Sequence, residues 1–238
     1  MERIDRRQII GFGLIAASLA VLGVALAFIV ASATGGGVEL PSEGSLNEIA
    51  GENPGGYVID VTSGEQEPLA QGPLPVRVIM PNIGVDAPVI ILGLDADSIP
   101  EVPGRGDQVA WYNFSSTPGR SDNAVFSGHV DWQTAGGDPI PGAFYRLREL
   151  HIGDEINIAL EDGSLLKYQV TGNVAAQYDD PNIVRSMGPT SRDVITLITC
   201  GGTWLPNPSE HNGGNYSHRI VVRAELVTPA AANAFADS

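Results

Sequence analysis

The chain has 238 residues, of which 43% are hydrophobic, so it can bury a sizeable core. Its 28 acidic and 13 basic residues give a formal net charge of −15 at pH 7. Nucleic-acid binding depends on Lys and Arg to neutralise phosphates, so this balance argues against a nucleic-acid partner. The 29 Gly and 17 Pro residues indicate many turns and favour short strands over long helices.

Residues 9–33 contain no charged side chain, which is enough apolar helix to cross one bilayer. Arginines precede this segment, and the charged residues that follow it, as far as residue 75, are all acidic. The positive-inside rule therefore places residues 1–8 in the cytoplasm and predicts a membrane-anchored domain outside it. The alternative is a cleaved signal peptide, because residues 31–33 (ASA) resemble a cleavage site. A typical signal core has about 7–15 apolar residues, so the longer run favours an uncleaved single-pass anchor.

Residues 34–73 are rich in Gly, Pro, Glu and Ser and have no apolar periodicity. This composition is typical of a flexible linker whose acidic side chains repel one another. We therefore expect a flexible acidic stalk at 34–73, a folded domain at 74–228 and a frayed tail at 229–238.

The folded domain consists of short apolar runs separated by turn residues, a pattern that favours a closed or sandwiched antiparallel sheet. The Asp162-Gly163 pair between two of these runs predicts a hairpin. One short helix is predicted over 142–150, with Phe144, Leu147 and Leu150 on one face. The runs cover residues 76–80, 85–92, 123–128, 155–160, 165–171, 194–200 and 219–227.

Cys200 is the only cysteine, and it ends a run rich in β-branched residues just before Gly201-Gly202. A single thiol outside the cytoplasm cannot form an internal disulfide, which leaves an intermolecular bridge, a reactive thiol or an inert core residue. A cysteine nucleophile reacts as the thiolate, which requires a nearby base or cation.

The chain has four histidines, at positions 129, 151, 211 and 218. His129 directly follows an apolar strand and is the best candidate for a base, although a structural role is the alternative. His151 and His211 lie in stretches of turn or loop composition. His218 adjoins Arg219, and we expect it to face away from the site because neighbouring strand residues alternate.

Arg219 opens the last predicted strand, where it is either a surface residue or a cation placed to stabilise a thiolate or an oxyanion. Asp131, two residues after His129, either orients the imidazole or forms a turn. One cysteine and scattered histidines do not make a metal site, so we expect neither metal nor cofactor.

Three segments together resemble the sortase family of cysteine transpeptidases: residues 123–129 (NAVFSGH), 196–200 (TLITC) and 216–222 (YSHRIVV). The resemblance covers roughly residues 74–227 and includes the early segments 78–89 and 110–112. Within the family, the composition around residues 93–95, 128–132 and 200–202 is most similar to the class E/F sortases.

The resemblance implies a closed eight-stranded β-barrel with short helices and a catalytic triad of Cys200, His129 and Arg219. Cys200 would cleave an LPxTG-like sorting signal between Thr and Gly through a thioacyl intermediate. The acyl group would pass to an amine acceptor, either a cell-wall precursor or a pilin lysine. The loop 178–192 would build the groove for the sorting signal, with Thr199, Ile183 and Val184 as substrate contacts, and the loop 201–218 would shape access.

Two other functions remain open at this point. An L,D-transpeptidase is another cell-wall thiol enzyme, but that family has a Ser-His-Gly-Cys type motif, whereas Ile198 and Thr199 precede Cys200 here. The second alternative is a membrane-tethered binding or scaffolding barrel in which Cys200 is inert.

Overall fold

The computed structural model describes residues 39–51, 72–133, 138–209 and 213–227. The expected anchor at 9–33 and tail at 229–238 lie outside the described residues. Within the described ranges, none of the helices has the length and apolar character needed to cross a bilayer.

The described residues form an all-β domain with short helices. The strands are β1 (Ser42–Glu43), β2 (Pro75–Met80), β3 (Val85–Leu92), β4 (Val109–Tyr112), β5 (Asn123–Gly128), β6 (Asp131–Trp132), β7 (Ile140–Pro141), β8 (Glu155–Leu160), β9 (Leu165–Gln177), β10 (Val194–Pro206) and β11 (Gly214–Leu226). The helices are α1 (Leu46–Gly51) and α2 (Pro181–Ser186), with 3-10 turns at Pro81–Ile83 and Leu147–Glu149.

Eight of these strands close into a barrel in the order β9-β11-β10-β5-β4-β3-β2-β8, because β8 pairs back onto β9. This arrangement confirms the expected eight-stranded barrel. The β8–β9 hairpin is also confirmed: Gly163 adopts a φ of 87°, and the Asp162 carboxylate accepts from the Ser164 amide at 2.9 Å. A positive φ favours glycine at that position of the turn.

Two of the pairings are parallel, so the expectation of an antiparallel sheet is wrong in part. Strand β3 pairs in parallel with β4, and β5 pairs in parallel with β10. Apolar patterning identifies which residues lie on a buried face but carries no information on strand direction. The β5–β10 pairing matters most, because its last paired residues, Ser127 and Ile198, lie two positions before His129 and Cys200.

The barrel wall buries side chains on both faces. Trp111 and Tyr112 are neighbours in β4, and they belong to the inner and the outer apolar cluster respectively. This alternation follows from the two-residue repeat of a strand. Helices α1 and α2 supply Ile49 and Ile183 to the outer cluster, so both helices pack on the outside of the sheet.

The helix predicted over 142–150 is wrong, although its apolar face is right. Phe144, Leu147 and Leu150 are buried, but the chain forms turns and one 3-10 turn. The reason is that the backbone bonds elsewhere: the Phe144 amide donates to the His129 carbonyl at 2.9 Å. The Asn173 side chain donates to the carbonyls of Leu147 and Leu150, at 3.2 and 2.7 Å.

The expected flexible stalk is wrong for residues 40–51, which pack on the barrel. Ser42 in β1 pairs with Val174 in β9, and the Glu43 carboxylate contacts His151. Ile49 in α1 is buried, and the buried Arg223 guanidinium donates to its carbonyl at 3.2 Å. The acidic composition conceals this docking, because the few apolar side chains that pack, such as Leu46 and Ile49, show no regular spacing in the sequence.

Candidate active site

The strand register places the three predicted catalytic residues in one row. Cys200 in β10 lies directly opposite Arg219 in β11. In the parallel pairing of β10 with β5, the last paired residues are Ile198 and Ser127, and the same offset continued by two residues aligns Cys200 with His129. We call His129, Cys200 and Arg219 the catalytic row: Cys200 and Arg219 face each other in β10 and β11, and His129 directly follows the end of β5.

Cys200 is a free, half-buried thiol at the centre of this row. Burial raises the pKa of the Cys200 thiol above its ordinary value, and the Arg219 guanidinium opposes that rise by stabilising the thiolate. The Asp131 carboxylate adds a smaller upward effect on the same pKa. Two side chains of opposite charge thus act on the thiol.

Arg219 is held by uncharged acceptors. Its Nη2 donates to Asn215 Oδ1 at 2.9 Å, and its Nη1 donates to the carbonyls of His218 and Tyr216, at 3.0 and 3.4 Å. In the part of the chain that the structure describes, the guanidinium forms no ion pair with a carboxylate. Its positive charge is therefore oriented but not neutralised, as the stabilisation of an oxyanion requires.

His129 is fixed by a backbone carbonyl. Its Nε2 lies 2.8 Å from the Pro103 oxygen, and its ring meets that of Trp132 edge-on, with centroids 4.9 Å apart. A carbonyl oxygen only accepts, so Nε2 carries the hydrogen. In the neutral ring this leaves Nδ1 as the unprotonated nitrogen.

The side chains of Asp131 and His218 form hydrogen bonds with residues of β11 and not with the imidazole of His129. The Tyr216 hydroxyl donates to the Asp131 carboxylate, so Asp131 forms a side-chain pair with β11 rather than with His129. His218 lies opposite Gly201, and its Nδ1 is 2.8 Å from Ser217 Oγ. This agrees with the expectation that His218 faces away from the catalytic row.

The three expected substrate contacts occupy different environments. Ile183 is buried in the outer cluster with Ile198, two residues before Cys200, whereas Val184 is 51% exposed. Thr199 is buried, and its hydroxyl donates to the Gly128 carbonyl at 2.7 Å. That hydrogen bond ties the Cys200 strand to the His129 strand, so the hydroxyl of Thr199 serves the structure of the site.

A small cleft lies beside Cys200 on the side of the residues that follow it. Its walls include Val130, Tyr145, Arg148, Gly201 and Leu40. Arg148 stacks over the Tyr145 ring, with 5.2 Å from its guanidinium carbon to the ring centroid. No group of three or more metal-ligating side chains occurs among the described residues.

Comparison with protein families matches residues 78–227 of this chain to the Sortase domain. The chain belongs to the sortase family. Sortases are cysteine transpeptidases, so the protein is a sortase-type enzyme. Membership therefore weighs against the alternative of an inert scaffolding barrel.

Several solved sortases are similar to this one. Sortase C-1 from Actinomyces oris is 28% identical, with 65% of this chain and 75% of that chain covered and a TM-score of 0.46. The lid mutant of sortase A from Corynebacterium diphtheriae is 23% identical, with 77% and 92% covered and a TM-score of 0.47. Sortase C1 from Streptococcus agalactiae is 23% identical, with 77% and 88% covered and a TM-score of 0.48. None of the curated proteins matches the chain.

Three groups that support the sortase site were missed in the sequence. The Pro103 carbonyl that bonds His129 is a backbone atom, for which the sequence has no marker. Asn215 holds Arg219, and Tyr216 bonds Asp131. Asn215 and Tyr216 could have been found from their position, a few residues before Arg219. The sequence predicts an access loop there, but β11 begins at Gly214, so both lie on the strand that carries Arg219.

Proposed function

We propose that this sortase uses Cys200, His129 and Arg219 to cleave an LPxTG-like sorting signal between Thr and Gly and to transfer the protein to an amine. The observation that carries the proposal is the strand register, which sets Cys200 in β10 opposite Arg219 in β11 and aligns it with His129, the residue directly after β5. A nucleophile, a proton carrier and an uncompensated cation on one face are the groups that acyl transfer needs.

In the first half-reaction the Cys200 thiolate attacks the Thr carbonyl carbon, and the guanidinium of Arg219 stabilises the tetrahedral oxyanion. The His129 imidazolium gives a proton to the departing glycine amine, which leaves as a neutral amine. The products are a Cys200 thioester and neutral imidazole. In the second half-reaction an incoming amine attacks the thioester, His129 takes its proton, and the thiolate departs.

The bound sorting signal would lie along the outer face of the barrel beside α2. Ile183 and Ile198 already form an apolar surface there, and Val184 is exposed on the same helix. An apolar side chain of a sorting signal gains free energy by leaving water against such a surface. The cleft beyond Gly201 then remains for the leaving and incoming amines.

We further propose that the enzyme is a single-pass cell-membrane protein with an extracytoplasmic catalytic domain, and that it is a class E/F sortase. The charge-free run 9–33 and the arginines before it support the anchor. Its partners would be exported proteins with a sorting signal, and its acceptor a cell-wall precursor or a pilin lysine. Protease accessibility of the domain in intact cells tests the topology.

The test of the reaction is incubation of the full-length protein with sorting-signal peptides and candidate amines. We expect a Cys200 thioester in the mass spectrum, cleavage after Thr and an amide product. The Cys200→Ala variant should form none of these while keeping its folded circular dichroism spectrum. Cleavage by Cys200→Ala at the wild-type rate would contradict the proposed function.

A further inference from the structure

Asp131 forms a hydrogen-bonded pair of side chains with Tyr216 next to the catalytic row. Asp131 lies in β6, two residues after His129, and Tyr216 lies in β11, three residues before Arg219. The Tyr216 hydroxyl donates to the Asp131 carboxylate. Both side chains are half-buried, so the pair is fixed in place yet accessible from solvent.

The Asp131 carboxylate is held by an uncharged partner. In the described ranges its hydrogen bond comes from an uncharged phenol, and it has no ion pair with Lys, Arg or His. Six other carboxylates pair with cations, at Arg77–Asp86, Arg105–Asp107, Arg146–Glu149, His151–Glu43, Lys167–Glu155 and Arg192–Glu225. Asp193, like Asp131, accepts from a tyrosine hydroxyl, that of Tyr168. The negative charge of Asp131 is thus held in place without a cation among the described residues to neutralise it.

The carboxylate is close enough to Cys200 to act on it. It is one of the two charged side chains that shift the pKa of Cys200, the other being Arg219. Cys200 also acts on the ionisation of Tyr216, whose pKa is raised chiefly by burial and then by its bond to Asp131. The pair and the thiol therefore share one electrostatic environment.

The tyrosine that bonds this carboxylate belongs to an aromatic pair. Trp204 meets the Tyr216 ring edge-on, with centroids 5.2 Å apart, and Trp204 is 42% exposed. The faces of Trp and Tyr attract cations. A carboxylate beside partly exposed aromatic rings is a favourable environment for an ammonium group.

We propose that Asp131, held by Tyr216, binds the ammonium group of the incoming acceptor next to the Cys200 thioester. This inference rests on the proposed function, in which the second substrate is a primary amine. A primary alkyl amine has a pKa near that of lysine, about 10.4, so it arrives as a cation at neutral pH. Asp131 would bind that cation beside the thioester with which the amine reacts.

The bound ammonium first releases one proton to solvent and becomes the neutral amine. The amine nitrogen then attacks the thioester carbonyl, so the N–C bond forms and the C–S bond breaks. The second proton passes to the neutral imidazole of His129, and the sulfur leaves as the thiolate. The products are an amide, the Cys200 thiolate and the His129 imidazolium, which are the reactants of the next cycle.

The test measures how the acyl-enzyme of the full-length protein partitions between water and two nucleophiles. N-acetyl-lysine amide is a cation at neutral pH, and hydroxylamine is uncharged. We expect Asp131→Asn to lower the ratio of lysine product to hydrolysis by about tenfold, which is ~1.4 kcal/mol, and to leave the hydroxylamine ratio unchanged. Added salt should weaken the wild-type preference in the same way, because an exposed charge pair is screened.

Two further variants and a matched control complete the experiment. Asp131→Glu keeps the charge and should restore part of the lysine ratio, whereas Tyr216→Phe should lower it partly by freeing the carboxylate. Asp86→Asn removes one carboxylate of the β2–β3 hairpin, paired with Arg77, and should change neither ratio.

The inference is overturned if Asp131→Asn retains the wild-type preference for the lysine acceptor. It is also overturned if the ratio of aminolysis to hydrolysis falls equally for both nucleophiles. In either case the thioester still forms from the sorting-signal peptide, so the proposed function stands. Failure of the wild-type protein to form the thioester would instead remove the proposed function and this inference with it.

Discussion

The hydroxyl of Thr199 donates a hydrogen bond to the carbonyl of Gly128 over 2.7 Å. Each of these residues directly precedes a member of the catalytic row, Cys200 in one case and His129 in the other. The bond therefore links the two strands at the point where the nucleophile and the proton carrier must stay in register. The hydroxyl of Thr199 therefore has a positioning role in the site.

Thr199→Val, which keeps the shape but removes the hydroxyl, should lower both stability and turnover. The loss of one buried hydrogen bond costs about 1 kcal/mol of unfolding free energy, and movement of His129 relative to Cys200 should lower kcat more than it changes KM. Thr199→Ser keeps the hydroxyl and serves as the control. Urea denaturation and steady-state cleavage give the two readouts, and wild-type kcat in Thr199→Val would contradict the positioning role.

The alkylation of Cys200 by iodoacetamide should rise with pH through a pKa above the ordinary value of about 8.5. Burial raises this pKa, and the Arg219 cation lowers it by stabilising the thiolate. Arg219→Gln should therefore move the alkylation profile to higher pH, and Arg219→Lys should move it less. Arg77→Gln removes a surface cation elsewhere and should leave the profile in place. A shift to lower pH in Arg219→Gln would refute the assigned electrostatics.

Gly142→Ala should impair catalysis by displacing the backbone of His129. A Cβ at position 142 would lie 2.3 Å from the His129 carbonyl oxygen, which is far inside van der Waals contact. A displacement of about 1 Å in a catalytic group costs on the order of 10²-fold in rate. Gly51→Ala is the control, because a Cβ there meets nothing within 4 Å. Equal kcat in the two variants would argue against a close contact at residue 142.

The docking of β1 should depend on pH through Glu43 and His151. Glu43 raises the pKa of His151, and His151 lowers the pKa of Glu43. The stabilisation from His151 is fully present below its ordinary pKa of about 6.5 and is lost as pH rises through its raised pKa. The stabilisation from Glu43 is lost as pH falls through its lowered pKa. Docking of β1 is therefore strongest at pH values between the lowered pKa of Glu43 and the raised pKa of His151.

The amide of Ala175 reports this docking, because it donates to the Pro41 carbonyl at 3.0 Å. After correction for the intrinsic rate, its hydrogen exchange should be slowest in that pH window. In Glu43→Gln the protection of Ala175 should decrease and lose its dependence on His151 titration. An unchanged pH profile in Glu43→Gln would mean that other contacts hold β1.

Much of this architecture follows from local patterns in the chain. The β8–β9 hairpin is encoded by Asp162-Gly163, and the burial of Phe144, Leu147 and Leu150 is encoded by their spacing. Strand direction is not encoded, so the parallel pairing of β5 with β10 was not predicted. The helix at 142–150 was wrong because backbone bonds to His129 replace the helical bonds, which apolar spacing does not reveal.

The catalytic residues were more predictable than the groups that hold them. Cys200, His129 and Arg219 stand in recognisable motifs. The predicted strand ends were wrong for two of them, since β10 continues past Cys200 to Pro206 and β11 begins at Gly214, before Arg219. The Pro103 carbonyl that orients His129 is available in any residue type, so no sequence pattern marks it. The Tyr216–Asp131 pair joins residues 85 positions apart, a distance that only the closed barrel makes short.

The parallel pairing of β5 with β10 also governs when Cys200 is brought next to the segment that carries His129. Asn123 and Val194, which begin the paired segments, are 71 positions apart in the chain. Long-range pairings of this kind form slowly, because the entropy of closing a large loop must be overcome first. A nascent sortase chain therefore carries a cysteine without its catalytic partners, and transpeptidation begins only when this step of folding is complete.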